Sequence, residues 1–342
     1  MIRLVLLIGI IFSCVAINAQ IRYDSLDNNV KRMATKNRNS DTNYIRYYDE
    51  IAVHVYSTLN SSNFTLGDQI TEYNIKYAPV LSPSIGIGVS KYGLMLNIAN
   101  DFGIVSQSNE KFGETQRLVA IGSLIYKKIA LKLYLNWNKG FYISNPESYQ
   151  SNWDEAIYPQ RPDVAMLGFG LNQKLIFNDK KFSLNGSYNL TQKQLKSAGS
   201  FLVGGSFDGL IISGDSSLIP TQMQENMNEH ISFTRSTQYS FGISGGYSYT
   251  FVFLKNFNFN ILAMPGITYS NTAFDNQSEK QHSFRPLLHF SGALAYVNRY
   301  FYFGLNAYVN NFWITTGDNT LIKYEIVNGK FFLGYRLGSR KK

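Results

Sequence analysis

The sequence predicts an all-β protein, a single closed antiparallel transmembrane β-barrel of about 14 strands, with 12–16 compatible with the pattern. Three observations carry this. Bulky apolar residues alternate with small polar ones along most of the chain. Beyond the N-terminus no apolar run reaches the ~18 residues that a membrane helix needs. Aromatics make up 15% of the residues, with 24 Tyr and 24 Phe amid abundant Asn, Ser and Gly. In YSFGISGGYSYTFVF (239–253), Tyr239, Phe241, Ile243, Tyr247, Tyr249, Phe251 and Phe253 share one face, and from Ser240 to Thr250 nothing larger than threonine occupies the other. Period two is the strand signature. A soluble sandwich would cover its outer face with Lys, Glu and Thr. Here the second face is Ser, Asn, Gly and Tyr, with an occasional charge such as Glu72, Lys76, Lys132 or Asp208. That face suits a lumen and turns the bulky one toward lipid, where unpaired backbone is costly and the sheet must close.

The elements follow in order. Residues 1–19 have a basic start at Arg3, an apolar core from Leu4 to Phe12 and a cleavage site after Ala19, as expected of an export signal. Residues 20–49 form a polar, aperiodic lead-in on the periplasmic side. The barrel occupies 50–338, and 339–342 is a basic tail. Strands are expected at 50–60, 69–78, 83–90, 93–100, 117–126, 129–138, 164–177, 181–190, 199–212, 237–253, 257–270, 285–297, 300–313 and 320–337. Short joints (127–128, 178–180, 254–256, 298–299) read as periplasmic turns, and long ones (101–116, 139–163, 213–236, 271–284) as surface loops. Short and long joints do not alternate strictly through this list, so at least one assignment in it is wrong. The apolar phase also flips twice. At Lys91-Tyr92-Gly93 a tight turn or a bulge accounts for it; Asn328-Gly329 is a dipeptide that favours a hairpin.

The formal charge of +9 is spread over turns and loops, which argues for solvation and against nucleic acid as a partner. Cys14 is the only cysteine and leaves with the signal, so neither a disulfide framework nor a Cys metal site is expected, and no cofactor. Expected partners are outer-membrane lipid, the barrel-assembly machinery and a small or lipidic ligand.

Several motifs bear on chemistry. Gly242-Ile243-Ser244-Gly245-Gly246 matches the serine-hydrolase G-x-S-x-G pattern, but a nucleophile elbow needs a strand-to-helix turn, and Ser244 sits mid-strand. His54 and His289 fall on lumen faces near opposite ends of the chain; they are the catalytic candidates if the barrel is an enzyme. His230 and His282 lie in loops. The loop 139–163 gathers Trp153, Asp154, Glu155, Arg161 and Asp163, carboxylates beside aromatics of the kind that hold sugars or calcium, or that simply brace a loop. The loop 213–236 carries Leu218, Ile219, Met223 and Met227, a lid, a plug or a partner surface. The favoured expectation is a non-enzymatic binding, small-solute or lipid-passage, or structural barrel with its function in these two loops. The alternative is a lipid-modifying or proteolytic outer-membrane enzyme using His54 or His289.

Four phrases stand in order: Asn138-Lys139-Gly140-Phe141-Tyr142-Ile143, Arg161-Pro162-Asp163, Lys196-Ser197-Ala198-Gly199-Ser200-Phe201 and Asp215-Ser216-Ser217-Leu218-Ile219-Pro220. In these the chain resembles domain of unknown function family 4421, from about residue 45 to the C-terminus. The resemblance implies an outer-membrane β-barrel with no assigned activity. Lys196, Ser197 and Asp215, from these phrases, complete the candidate binding set.

Overall fold

The computed structural model describes residues 43–47, 50–68, 73–101, 109–150, 153, 157–224, 232–315 and 320–338. The expected signal and tail, and Asp154, Glu155 and His230, lie outside the described residues.

Alternation makes the wall. Six strands form its first half: β2 (Ile51–Asp68), β4 (Pro83–Lys91), β5 (Leu94–Asn100), β6 (Gln116–Tyr126), β7 (Ile129–Ile143) and β8 (Gln160–Ile176). Six more complete it: β10 (Ala198–Ser213), β11 (Arg235–Phe253), β12 (Phe257–Phe274), β13 (Gln281–Val297), β14 (Phe301–Thr315) and β15 (Thr320–Leu337). Each pairs antiparallel with the next. The ring of 12 closes between β15 and β2, in register from Ile51↔Leu337 to Asp68↔Thr320. Closure leaves no free sheet edge, as hydrocarbon requires. A short β3 (Asn74–Ala78) fills the gap above β4–β6 by pairing with β2 and β7.

The wall has the predicted polarity. On β11, Phe241 and Ile243 are 56% and 68% exposed, while Ser240, Ser248 and Thr250 on the other face are buried. Ile87, Phe201 and Phe284 also stand bare on the outside, an apolar surface that only lipid would cover. Lys91-Tyr92-Gly93 is a tight turn with Tyr92 and Gly93 at φ +55° and +86°. An added Cβ at Gly93 would overlap the Ile125 carbonyl.

Three expectations are corrected. Residues 181–190 are not a strand. They fold into the lumen as a 3-10 turn (Leu184–Gly186) followed by a three-residue β9 (Gln192–Gln194), which pairs with β1 (Tyr44–Arg46). Both faces of this segment are buried, Phe182 and Leu184 as well as Ser183, Asn185 and Asn189. The strand expected at 69–78 is likewise no full member of the ring, since only β3 falls there and β2 runs on to Asp68; with both segments out of the ring, the short turns 92–93, 127–128, 254–256 and 298–300 all fall at the end that holds 177–197. Nor is Asn328-Gly329 a hairpin: β15 runs straight through it. The phase flips because Ile322 and Tyr324 point inward into an apolar stopper, whereas Phe331 and Leu333 face outward.

Candidate functional site

Segments of the chain fold into the lumen at both ends. The end holding residues 177–197 also carries the short turns, which are expected on the periplasmic side. There Asn185 Nδ2 donates to the Ile125 carbonyl at 2.8 Å and Asn189 Nδ2 to the Gly93 carbonyl at 2.9 Å, fixing the floor to two turns of the wall. Buried Arg336 donates to the carbonyls of Leu190 at 2.7 Å and Asn298 at 2.6 Å, and lies over the Tyr47 and Tyr302 rings. Gln194 ties β9 back to the carbonyls of Lys181 and Lys196.

At the opposite mouth, residues 214–224 and 232–234 pack into the lumen. Leu218, Ile219, Met223 and Phe233 pack against Phe64, Tyr77, Phe141, Met166, Ile212 and Phe274 from the wall. Both feet of this cap are tied down. At the first, Arg161 makes a bidentate ion pair with Asp163 at 2.8–2.9 Å and donates to the Ser217 carbonyl at 2.9 Å; Asp163 accepts from the Asp215 amide at 3.0 Å. At the second, the Gly214 amide donates to the Thr234 carbonyl at 2.9 Å, and Asp275 accepts from the Thr234 amide at 3.1 Å. Asp275 lies in a loop beyond the wall. Burial alone would raise its pKa, but the hydrogen bonds from Thr234 outweigh it and hold the carboxyl below its usual range.

Between floor and cap lies a cavity of about 200 Å³. Its side toward the floor is apolar, with Ile125, Leu184 and Leu262. Around its middle stand Lys132 of β7, Lys174 of β8 and Lys330 of β15, with Tyr134, Tyr188, Tyr308 and several Asn side chains. The Lys132 ammonium lies 4.4 Å from the centre of the Tyr308 ring, and Lys330 5.0 Å from that of Tyr56. Asp208 borders a smaller neighbouring cavity and accepts from Tyr134 Oη at 2.6 Å.

The candidates fall in different places. Arg161, Asp163 and Asp215 meet in the cap clasp. Lys196 and Ser197 sit at the other end, where the floor re-enters the wall; Ser197 Oγ accepts from the Val252 amide at 2.9 Å. Trp153 packs on Tyr158 and donates to the Ile157 carbonyl at 3.1 Å within its own loop. His289 lines the chamber, whereas His54 stands outside it, bonded to Asn97 Oδ1 at 2.8 Å among Tyr56, Tyr302 and Phe332. Among the described residues, no three His, Cys, Asp or Glu side chains come together as a metal site. Sequence reasoning missed the three lysines as a group and Arg336. The signal was present, since each occupies a lumen position on a strand, but their strands are scattered along the chain.

A closed antiparallel barrel, apolar outside and polar within, defines the class: outer-membrane β-barrel proteins. The chain belongs to a particular family of them, Domain of unknown function (DUF4421), whose model matches residues 39–337. No curated protein matches the sequence. Among solved structures it is similar to the outer membrane protease OmpT of Escherichia coli, at 8% identity over 85% of this chain and 97% of that one, with a TM-score of 0.38. It is also similar to the β domain of the Bordetella autotransporter BrkA (9%, 85% and 100%, 0.37) and to the Pseudomonas putida toluene transporter TodX (7%, 86% and 91%, 0.27). These likenesses concern the fold alone.

Proposed function

We propose that the protein is a non-enzymatic outer-membrane barrel that holds a small or lipidic ligand in a lumen stoppered by its own chain, and is not an open pore. The N-terminal segment 1–19 exports it, and its working contacts are with outer-membrane lipid and, during insertion, the barrel-assembly machinery. One observation carries the reading: an apolar cap and a hydrogen-bonded floor leave a chamber between them that is lined by residues from most of the wall. Side chains alone fill barrels of about eight strands, whereas this ring of 12 is wider and keeps a chamber beside its floor. A diffusion pore would not spend two chain segments on closing its ends.

The test is electrical. In planar bilayers the full-length protein is expected to give no sustained ohmic steps, and steady open-channel conductance would overturn the reading. Cell fractionation should place the protein with the outer membrane, and recovery from the soluble periplasmic fraction would refute that location.

A further inference from the structure

The chamber's charge is unbalanced. Lys132, Lys174 and Lys330 line it, and among the described residues no Asp or Glu lines it with them. Electrostatically, Lys132 faces Lys174 and Asp208, while Lys330 faces Lys132. Among the described residues Asp208 is the one carboxylate that acts on them, and it already accepts from Tyr134. Among the described residues none of the three ammonium groups donates a hydrogen bond. Two of them rest on aromatic rings, which turn their positive charge without neutralising it. Three ammonium groups against one carboxylate leave an excess of two positive charges inside a low-dielectric wall. Such charges are costly unless an opposite charge joins them. Carrying three lysines inward is a poor way to fill space, since Leu or Met would do so without that cost.

We infer that the chamber binds a small organic anion, its carboxylate or phosphate oxygens among Lys132, Lys174 and Lys330 and a short apolar body against Ile125, Leu184 and Leu262. This rests on the ligand-chamber reading above and names the ligand's class. Each part of the site matches a part of such a molecule. The ammonium groups supply charge-assisted donors for the oxyanion. Tyr188 and Tyr308 supply rings and hydroxyls at the waist, and the apolar side toward the floor takes the hydrocarbon portion. A volume of about 200 Å³ admits a compact molecule of this kind and not a full phospholipid.

The test folds the full-length protein in neutral maltoside micelles with each radiolabelled probe present from the start, so that a closed cap cannot bar entry. Bound probe is then measured by equilibrium dialysis. The probes are butanoate, butyl phosphate, butanol and butylammonium. Saturable retention of butanoate or butyl phosphate is expected, at least tenfold tighter than butanol, with butylammonium excluded; the stronger of the two anions identifies the headgroup. Lys132→Met and Lys330→Met should each weaken anion retention at least tenfold. Equal retention of butanol and butanoate would overturn the anion proposal while sparing the chamber reading. Preference for butylammonium, or no retention of any probe, would overturn it as well. Because wild-type protein alone distinguishes anion from cation, the result stands even if a lysine variant fails to fold. The conductance test of the closed barrel is independent of all these outcomes.

Discussion

Lys132 on β7 places its ammonium 4.4 Å from the ring centre of Tyr308 on β14, which stands six strands away around the ring in either direction. A single contact therefore spans the lumen and joins opposite walls. A cation over an aromatic face is worth about 0.5–2 kcal/mol, more when water is excluded. Tyr308→Leu should lower stability toward urea in lipid vesicles by about that amount. An unchanged midpoint would show that the contact stabilises nothing.

Arg336 is the fastener of the floor. It is 1% exposed and donates to the carbonyls of Leu190 and Asn298. Arg336→Met keeps the side chain's length and leaves those acceptors unpaired, at about 1–3 kcal/mol each. The folded band on unboiled gels should convert to the unfolded one at a lower temperature. The segment 181–194 should exchange its amide hydrogens faster, while β11 and β12 keep their protection. Uniformly faster exchange would mean that Arg336 supports the wall and not the floor.

The cap should loosen in acid. The folded pKa of Asp275 is depressed, so its contribution is fully present above the unfolded carboxylate value and is lost as pH falls through the lower folded value. The extra protection of the 232–234 amides against exchange in the native protein, over an Asp275→Asn variant at the same pH, should shrink as pH falls. The two should differ most at neutral pH, with the variant faster there, and converge in acid. Equal rates at neutral pH would rule out the clasp.

Gly88 on β4 lies against the buried pair His54 and Asn97, where an added Cβ would overlap both side chains. Gly88→Ala should cost about 1–3 kcal/mol, the usual penalty for overpacking. Gly329 has open space around its Cα, so Gly329→Ala is the matched control and should be close to neutral. Similar losses at both positions would point to strand flexibility instead of the His54 contact.

Much of the wall was legible in the sequence because it depends on local alternation. The odd residues of 239–253 face outward and the even ones inward, as expected, since a pleated strand leaves no other choice. Ser244 sits in the ladder opposite Gly204 and Gly266, in keeping with a packing role for the G-x-S-x-G match. The segment 181–190 shows where alternation misleads. Phe182-Ser183-Leu184-Asn185 has strand periodicity, yet both faces are covered, one by apolar side chains and the other by bonds from Ser183 to Gln192 and Gln194 and from Asn185 to the Ile125 carbonyl. Alternation shows that two faces differ. It does not show that one of them meets lipid.

The candidate site was legible only as parts. Arg161-Pro162-Asp163 and Asp215-Ser216-Ser217 lie some fifty residues apart in sequence and close a single clasp at the cap. Lys132, Lys174 and Lys330 each look like a stray lumen charge on its own strand.

Which residues of a strand share a face was settled by the sequence, because each residue's neighbours fix its face. Which interior residues meet was left to the closed barrel. That depends on how β15 registers with β2 and on two segments folding inward, and both are set by contacts between residues far apart in the chain, on which local pattern is silent.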